Sequence, residues 1–307
     1  MKKVSIVLSI YEPNLKYLKK QLQSLERQTY KNIEVVIRDD CPKNKTAREI
    51  FDKYLPKTKH RILPSGKKRL GYTKSFEELV KKIDHDGYIA FCDQDDIWDK
   101  KKIEYMVNAL ENSNMDLAIC DRQLIDGDDK VFCESESATF KGIRRTWTKG
   151  KDIYEMCPFL TIAPGMSIIC KASFAKKCLP YYPFAFDKYL TCCAAFESKI
   201  LKVDIPLVQY RRHGKNVSGV LNGISTKNDY YEQRVLSHHI LVNKLASIYK
   251  NVDTSKMVAF SNARVNKNIF KIFQYRRISP AQAKFEIILA LTPNFVFEQA
   301  LKIKRRG

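Results

Sequence analysis

At 307 residues and 44% hydrophobic content, the chain is long enough to bury a substantial core as one large domain or one domain with an appendage. Lysine and arginine outnumber aspartate and glutamate by 55 to 34, and a formal charge of +21 favours an anionic partner: nucleic acid, an acidic membrane surface or a phosphorylated substrate. The nine cysteines lack a CxxC pair and zinc-type spacing, which argues against a disulfide framework, and no signal-peptide pattern or membrane-spanning apolar run is evident, so a cytoplasmic setting is expected.

Val4–Ile10 (VSIVLSI) is a β-branched apolar run of the kind found in buried parallel strands. Leu15, Leu18, Leu22 and Leu25 then recur at helical spacing. A second strand over 33–37 ends in Arg38-Asp39-Asp40-Cys41-Pro42, and this βαβ opening predicts a right-handed crossover in a parallel sheet. A helix over about 45–54, a short strand over 61–63, a turn at Gly71 and an amphipathic helix through Phe76, Leu79, Val80 and Ile83 lead to the apolar strand 88–92.

That strand runs directly into Asp93-Gln94-Asp95-Asp96-Ile97-Trp98. Ligands of open α/β sheets bind beyond the carboxyl ends of the strands. Carboxylates two residues apart in such a turn can reach one hard cation, which commonly takes its remaining ligands from substrate phosphates. The plainer alternative is a solvated turn with Asp99 as the cap of the next helix. Carboxylates also end the strand at Asp39 and Asp40, and two acidic strand ends in one sheet favour a site.

A strand over 115–121, a hairpin turn at Gly127-Asp128-Asp129 and a polar stretch over 134–151, read as a mobile loop, come next. Ala163-Pro164-Gly165 introduces a strand over 166–170. An aromatic turn over 180–187 leads into a helix over about 188–196, and strands over 202–205 and 207–211 flank Pro206 as sheet edges. Beyond about residue 218 the pattern is helical throughout, with Ser279-Pro280 and Thr292-Pro293 as helix starts. From Lys256 onward eleven basic residues face only Glu286 and Glu298.

Taken together, Val4 to Glu12, Ile37-Arg38-Asp39-Asp40, Gly71 before a helix, the DQDDIW turn and Gln209-Tyr210-Arg211-Arg212-His213-Gly214-Lys215-Asn216-Val217-Ser218-Gly219 resemble the family 2 glycosyltransferases of GT-A fold, most of all bacterial rhamnosyltransferase-type members that build cell-surface polysaccharide. The resemblance covers about residues 2–220. It implies a mixed, mainly parallel sheet flanked by helices over 1–220, while the basic, amphipathic character of 221–307 points to a helical appendage that lies on an anionic membrane or packs its apolar faces on the catalytic domain or a second subunit.

The resemblance further implies a nucleotide pocket edged by Ser9, Tyr11, Glu12 and Asp39, with Asp93 at the ribose or the metal shell. Asp95 would ligate Mn²⁺ or Mg²⁺, His213 would stand by the diphosphate or the metal, and Asp187 would be the base. Arg38, Cys41 and Pro42 depart from the usual valine and Gly-Ser pair. Arg69 replaces a frequent asparagine before Gly71, with phosphate contact and simple exposure both open. Arg211 or Arg212 would pair with phosphate, and strand parity alone does not decide which.

The expected activity is inverting transfer of a sugar from a nucleoside diphosphate to a saccharide hydroxyl. dTDP-rhamnose is the first choice of donor and a UDP-hexose the second, with a saccharide or lipid-linked saccharide as acceptor. An anionic membrane on the inner face of the cell membrane and a homodimer are the further expected partners. Two other classes compete. A nucleotidyltransferase would also use paired aspartates, but Ser9-Ile10-Tyr11-Glu12 is no Gly-rich phosphate loop. A nucleic-acid-binding protein would account for the charge, but zinc-finger, RRM and KH motifs are missing, and no nucleic-acid partner is expected.

Overall fold

The structure, a computed structural model, describes residues 1–41, 47–213, 221 and 223–306. Pro42 and the Gly214 to Gly219 part of the downstream motif lie outside the described residues. Two units are distinguished: Met1–Asp152 with Ile162–Gly214, and Ile153–Thr161 with Lys215–Gly307.

The first unit starts from β1 (Val4–Ile10), in which only Ser9 is incompletely buried. The helix α1 (Leu15–Glu26) is capped by Asn14, whose side chain accepts from the Lys16 and Tyr17 N–H groups. Leu18, Leu22 and Leu25 of its apolar stripe are fully buried, each contributing roughly 1.5–3 kcal/mol. Leu15 does not join them: at the first helical position it faces solvent.

Next come β2 (Ile33–Asp39), α2 (Ala47–Tyr54), β3 (Lys59–Leu63), α3 (Tyr72–Lys81), β4 (Tyr88–Cys92), β5 (Ile97–Trp98), α4 (Lys102–Glu111), β6 (Leu117–Ile125) and β7 (Val131–Cys133). The unit is completed by α5 (Ile143–Thr146), β8 (Ile168–Lys171), α6 (Ala172–Lys177), α7 (Phe186–Phe196) and β9 (Ile200–Arg211). The strands form a mixed, mainly parallel sheet in the order β3-β2-β1-β4-β8-β6-β9-β5, with β7 on β6 as the expected hairpin.

Three local expectations change. Asp99 does not cap α4; its Oδ1 accepts from the Lys101 N–H at 2.8 Å in a turn before the helix starts. The stretch 134–151 is not a structureless loop: it holds two short 3-10 turns and α5, and Trp147 is buried. The flanks of Pro206 are one strand, β9, rather than two; β5 pairs only with its Val208 and Gln209, so Pro206 is exposed with β6 alone beside it, the edge position expected. Pro206 is tolerated there because the β6–β9 register shifts around Asp121, opposite the proline.

In the second unit, α8 (Lys227–Tyr230) runs through a π-helical turn (Tyr231–Leu236) into α9 (Ser237–Ile248). It continues with α10 (Ser255–Val265), α11 (Ile269–Gln274), α12 (Pro280–Leu291) and α13 (Asn294–Arg306). Segment Ile153–Thr161, distant in sequence, belongs to this unit.

Its centre holds a buried ion pair, Arg264 to Glu286 at 2.6 Å. The Tyr230 hydroxyl donates to Glu286 at 2.9 Å, and His238 lies 3.2 Å from the guanidinium. Ser279 does stand at the start of α12, but Thr292 closes α12 by donating to the Ile288 carbonyl at 2.8 Å and does not cap α13. Among the described residues no helix is long and apolar enough to cross a membrane.

Candidate active site at the strand ends

β1, β2 and β4 run parallel, with Ile10 opposite Asp39 and Leu8 opposite Cys92, so Ser9, Asp39 and Asp93 reach one edge of the sheet. At the end of β1 the Ser9 hydroxyl lies 2.7 Å from that of Ser75 on α3. The Tyr11 N–H donates to Gln94 Oε1 at 2.8 Å, and Gln94 Nε2 donates to the Tyr11 carbonyl at 3.1 Å. One side-chain amide thus extends the β1–β4 pairing past its last rung. Glu12 follows with a positive φ of 42°.

The two aspartates ending β2 divide their work. Asp39 is buried, and its Oδ1 accepts from the Cys41 N–H at 2.8 Å. Asp40 accepts from the Leu70 and Gly71 N–H groups at 2.9 and 2.8 Å, tying down the turn that begins α3. Gly71 has a φ of 82°, which glycine adopts without strain. Arg69 is exposed, and its guanidinium lies 3.7 Å from the Tyr11 ring centroid, a cation–π contact.

In the acidic turn, Asp95 Oδ2 and His213 Nε2 are 2.9 Å apart, joining the end of β4 to the end of β9. Asp96 is fully buried and accepts from the Arg211 N–H at 3.0 Å. Burial and the neighbouring Asp95 push its carboxyl well above the ordinary range. Asp93 is raised as well, first by burial and then by the charges of Asp95 and Asp187.

Beneath the turn, fully buried Lys102 donates to the Met166 carbonyl at 2.6 Å and lies 3.0 Å from the Trp98 ring centroid. Burial lowers this ammonium to about 8, against the opposite pull of Cys120, Cys92, Asp96 and Asp93.

Strand parity at the end of β9 resolves into opposite directions. Arg211 is fully buried: Nε donates to the Asp95 carbonyl at 2.8 Å, and one amino nitrogen meets the Asp126 carbonyl at 2.9 Å and Asp129 at 2.6 Å. The guanidinium stacks 4.2 Å over Tyr17, whose ring also neighbours that of His213. Arg211 is therefore a strut between the acidic turn and the β6–β7 hairpin, in place of the phosphate ligand expected from its cationic neighbourhood. Arg212 points outward, 3.6 Å from Glu136.

Asp187 is positioned by its neighbour. Phe186 packs against Phe76, Phe91 and Tyr72 with ring centroids 4.3, 4.7 and 5.0 Å away, which pins the start of α7 to α3 and β4. A Cβ at residue 165 would come within 2.5 Å of the Phe186 ring, so the close approach requires Gly165. Thr73 donates to the Phe184 carbonyl at 3.0 Å, and the Tyr182 N–H donates to Glu77 at 2.6 Å.

The Asp187 carboxylate is buried and accepts from the Lys188 N–H at 2.7 Å and from the Gly165 N–H. Desolvation raises its pKa despite these donors. The Tyr72 hydroxyl feels both Asp187 and Asp93, which puts the aspartate of α7 and the one that follows β4 in one neighbourhood.

The glycosyl transferase family 2 profile matches residues 5–176, more than half of the chain. The chain belongs to this family. An uncharacterized glycosyltransferase of Methanocaldococcus jannaschii is 27% identical over 309 residues, spanning 98% of this chain and 93% of that protein. A dTDP-rhamnosyl transferase of Shigella flexneri, RfbG, is 36% identical over 102 residues, but only 32% of this chain and 35% of that protein are covered.

Two solved structures share the GT-A fold. S. aureus TarS, in complex with UDP-GlcNAc, has a TM-score of 0.62 at 16% identity, covering 93% of this chain and 84% of that one. The Pyrobaculum calidifontis mannosyltransferase PcManGT, in complex with GDP-Man and Mn²⁺, has a TM-score of 0.55 at 13% identity, with 99% and 79% covered. Sheet and helices of this glycosyltransferase agree with that fold.

The donor set suits a hard cation with open positions. The Asp95 carboxylate and the His213 ring nitrogen, 2.9 Å apart in a hydrogen bond, are donors of the kinds that Mn²⁺ or Mg²⁺ accepts. No cluster of three ligating side chains forms among the described residues, so Asp93 is not drawn into a protein cage with the pair. Gln94, Tyr17, Tyr72 and Lys102, which shape this site, were not singled out by motif or spacing. Gln94 had only its place between two aspartates as a signal, and the other three had none.

Proposed function

We propose that this glycosyltransferase moves a sugar, with inversion, from a nucleoside diphosphate donor to a saccharide or lipid-linked saccharide hydroxyl. The observation that carries this reading is the Asp95–His213 pair at the end of β4, with the buried carboxylate of Asp187 in the neighbourhood of Asp93. Asp39, Ser9, Tyr11 and Glu12 border the nucleotide, while Asp93 faces its ribose. Arg69 closes over Tyr11, and the N–H groups at Leu70 and Gly71 are already taken by Asp40.

Asp95 and His213 would hold the cation, Mn²⁺ or Mg²⁺, which would supply positive charge against that developing on the departing diphosphate. Asp187 takes the proton of the acceptor hydroxyl as that oxygen bonds to C1 of the donor sugar and the C1–O bond to the diphosphate breaks. Its raised proton affinity suits a base. Arg211, Lys102 and Gln94 act through others: they hold the turn, its underside and the end of β1 in place.

dTDP-rhamnose is the donor we favour, supported by the match to the Shigella enzyme across one third of this chain. The reading is tested by thermal shift against a panel of nucleotide sugars with and without Mn²⁺, because a ligand specific for the native state raises Tm by mass action. A dTDP-rhamnose shift that depends on Mn²⁺ is expected. A shift with nucleoside triphosphates alone, followed by pyrophosphate release, would instead make it a nucleotidyltransferase.

A further inference from the structure

Between α11 and α12 lies a groove of about 500 Å³, lined by Phe273, Ile287 and Ile288 together with Arg276, Arg277 and Lys284. Its exposed surface is almost entirely carbon although three of these side chains are cations. Carbon atoms of these side chains therefore face the groove, as amphipathic side chains do at a membrane interface, while the Arg276 guanidinium folds over the Phe273 ring at 4.0 Å and donates to the Phe273 carbonyl at 2.9 Å.

No carboxylate pairs with any of the three among the described residues. Glu286, one of the two acids of the region, is turned inward onto Arg264. Other apolar side chains of the helical unit are also exposed, Phe270 at 86%, Leu291 at 74% and Phe295 at 65%.

We infer that this face of the helical unit docks on a bilayer containing anionic phospholipid, with Phe273 and Ile288 entering the acyl boundary and Arg276, Arg277 and Lys284 meeting lipid phosphates. The charge decides among occupants. A second copy brought to the groove by a two-fold axis would set these cations against their own images, unpaired, in a chain of formal charge +21. A nucleic acid would satisfy the cations but has no alkyl chain for the carbon-lined groove. An anionic lipid supplies both charge and chain. The inference does not rest on sugar transfer, and its test uses no nucleotide sugar.

The experiment is sedimentation of the full chain with sucrose-loaded vesicles of phosphatidylcholine alone or with phosphatidylglycerol, at low and raised salt. The wild type is expected to bind the acidic vesicles and to be released by salt. Changing Arg276→Gln, Arg277→Gln and Lys284→Gln together should weaken that binding about a hundredfold, since each cation near an anionic surface contributes comparably. Phe273→Ser with Ile288→Ser should weaken it while leaving the salt dependence in place. All five positions are surface positions, and an unchanged melting curve excludes misfolding.

Equal binding to neutral vesicles, or undiminished binding by the triple variant, would overturn the inference. Competition by millimolar inorganic phosphate as effective as that by vesicles would also overturn it, by reducing the groove to a free-phosphate site. A dimer that the Phe273/Ile288 variant dissociates would overturn it in favour of a subunit interface.

Discussion

Asp187→Asn separates the chemistry of this carboxylate from its place in the fold. The buried side chain accepts from Lys188 N–H at 2.7 Å and from Gly165 N–H, and asparagine retains one oxygen for these donors. Phe186, which fixes the start of α7 against α3 and β4, is untouched. What disappears is the proton acceptor. Loss of a positioned general base costs about 10²–10⁴-fold in rate, or about 3–5 kcal/mol in activation free energy.

Stability moves the other way. The folded pKa of Asp187 is raised above its ordinary 3.8, so the native state binds the proton more tightly than the unfolded chain. The stability this contributes is complete below 3.8 and is lost as pH rises through the folded value. At neutral pH the asparagine variant, relieved of a buried charge, should melt higher than the wild type, and the gap should shrink as pH falls toward 3.8. The same ionisation makes wild-type kcat/KM rise with pH above that value, a limb that the variant lacks. Release of nucleoside diphosphate, followed across pH beside melting curves, reads both effects. A variant with near wild-type kcat, or one with an unaltered acid limb, would refute the assignment of Asp187 as base.

His213→Ala should lower Mn²⁺ affinity in the presence of nucleotide by at least about tenfold, measured by calorimetric titration; unaltered affinity would remove His213 from the metal site. Gln94→Ala deletes two hydrogen bonds to the Tyr11 main chain and should cost about 2 kcal/mol in urea unfolding of the first unit, with a raised KM for the donor. Arg211→Met removes the partner of one Asp129 oxygen and of the carbonyls of Asp95 and Asp126, Lys20 staying on the other Asp129 oxygen, an expected loss of about 3 kcal/mol. A melting curve within a degree or two of wild type would contradict the strut. Glu286→Leu strands the buried Arg264 and should destabilise the helical unit by about 3–5 kcal/mol, read by denaturant titration.

The strand ends were readable because parallel strands buried on both faces must be apolar along their length, so the residue at which polarity returns marks the sheet edge. Val4–Ile10 stops near Ser9, and the apolar run of β4 stops at Asp93, with no other feature needed. Partners across the fold leave no such trace. Arg211 and Arg212 are adjacent cations in one cluster, yet one is fully buried between the acidic turn and the β6–β7 hairpin and the other faces outward. Pro206 reads as an edge residue and is one, but that a single strand runs through it, with β5 joining only from Val208 onward, leaves no local signal. Segment Ile153–Thr161 bears no mark of its place in the helical unit, because unit membership depends on contacts distant in sequence.

By itself the sequence determined the buried strands, the acidic turn, the basic helical end and membership in a family whose profile spans residues 5–176, because periodicity and motif spacing are local properties of a chain. Only the tertiary structure decided that His213 meets Asp95, that Asp40 serves the turn before α3 while Asp39 stays at the strand end, and that Glu286 is consumed by Arg264. Those choices depend on which side chains share a desolvated space, where an unpaired charge is costly and each partner fixes the other.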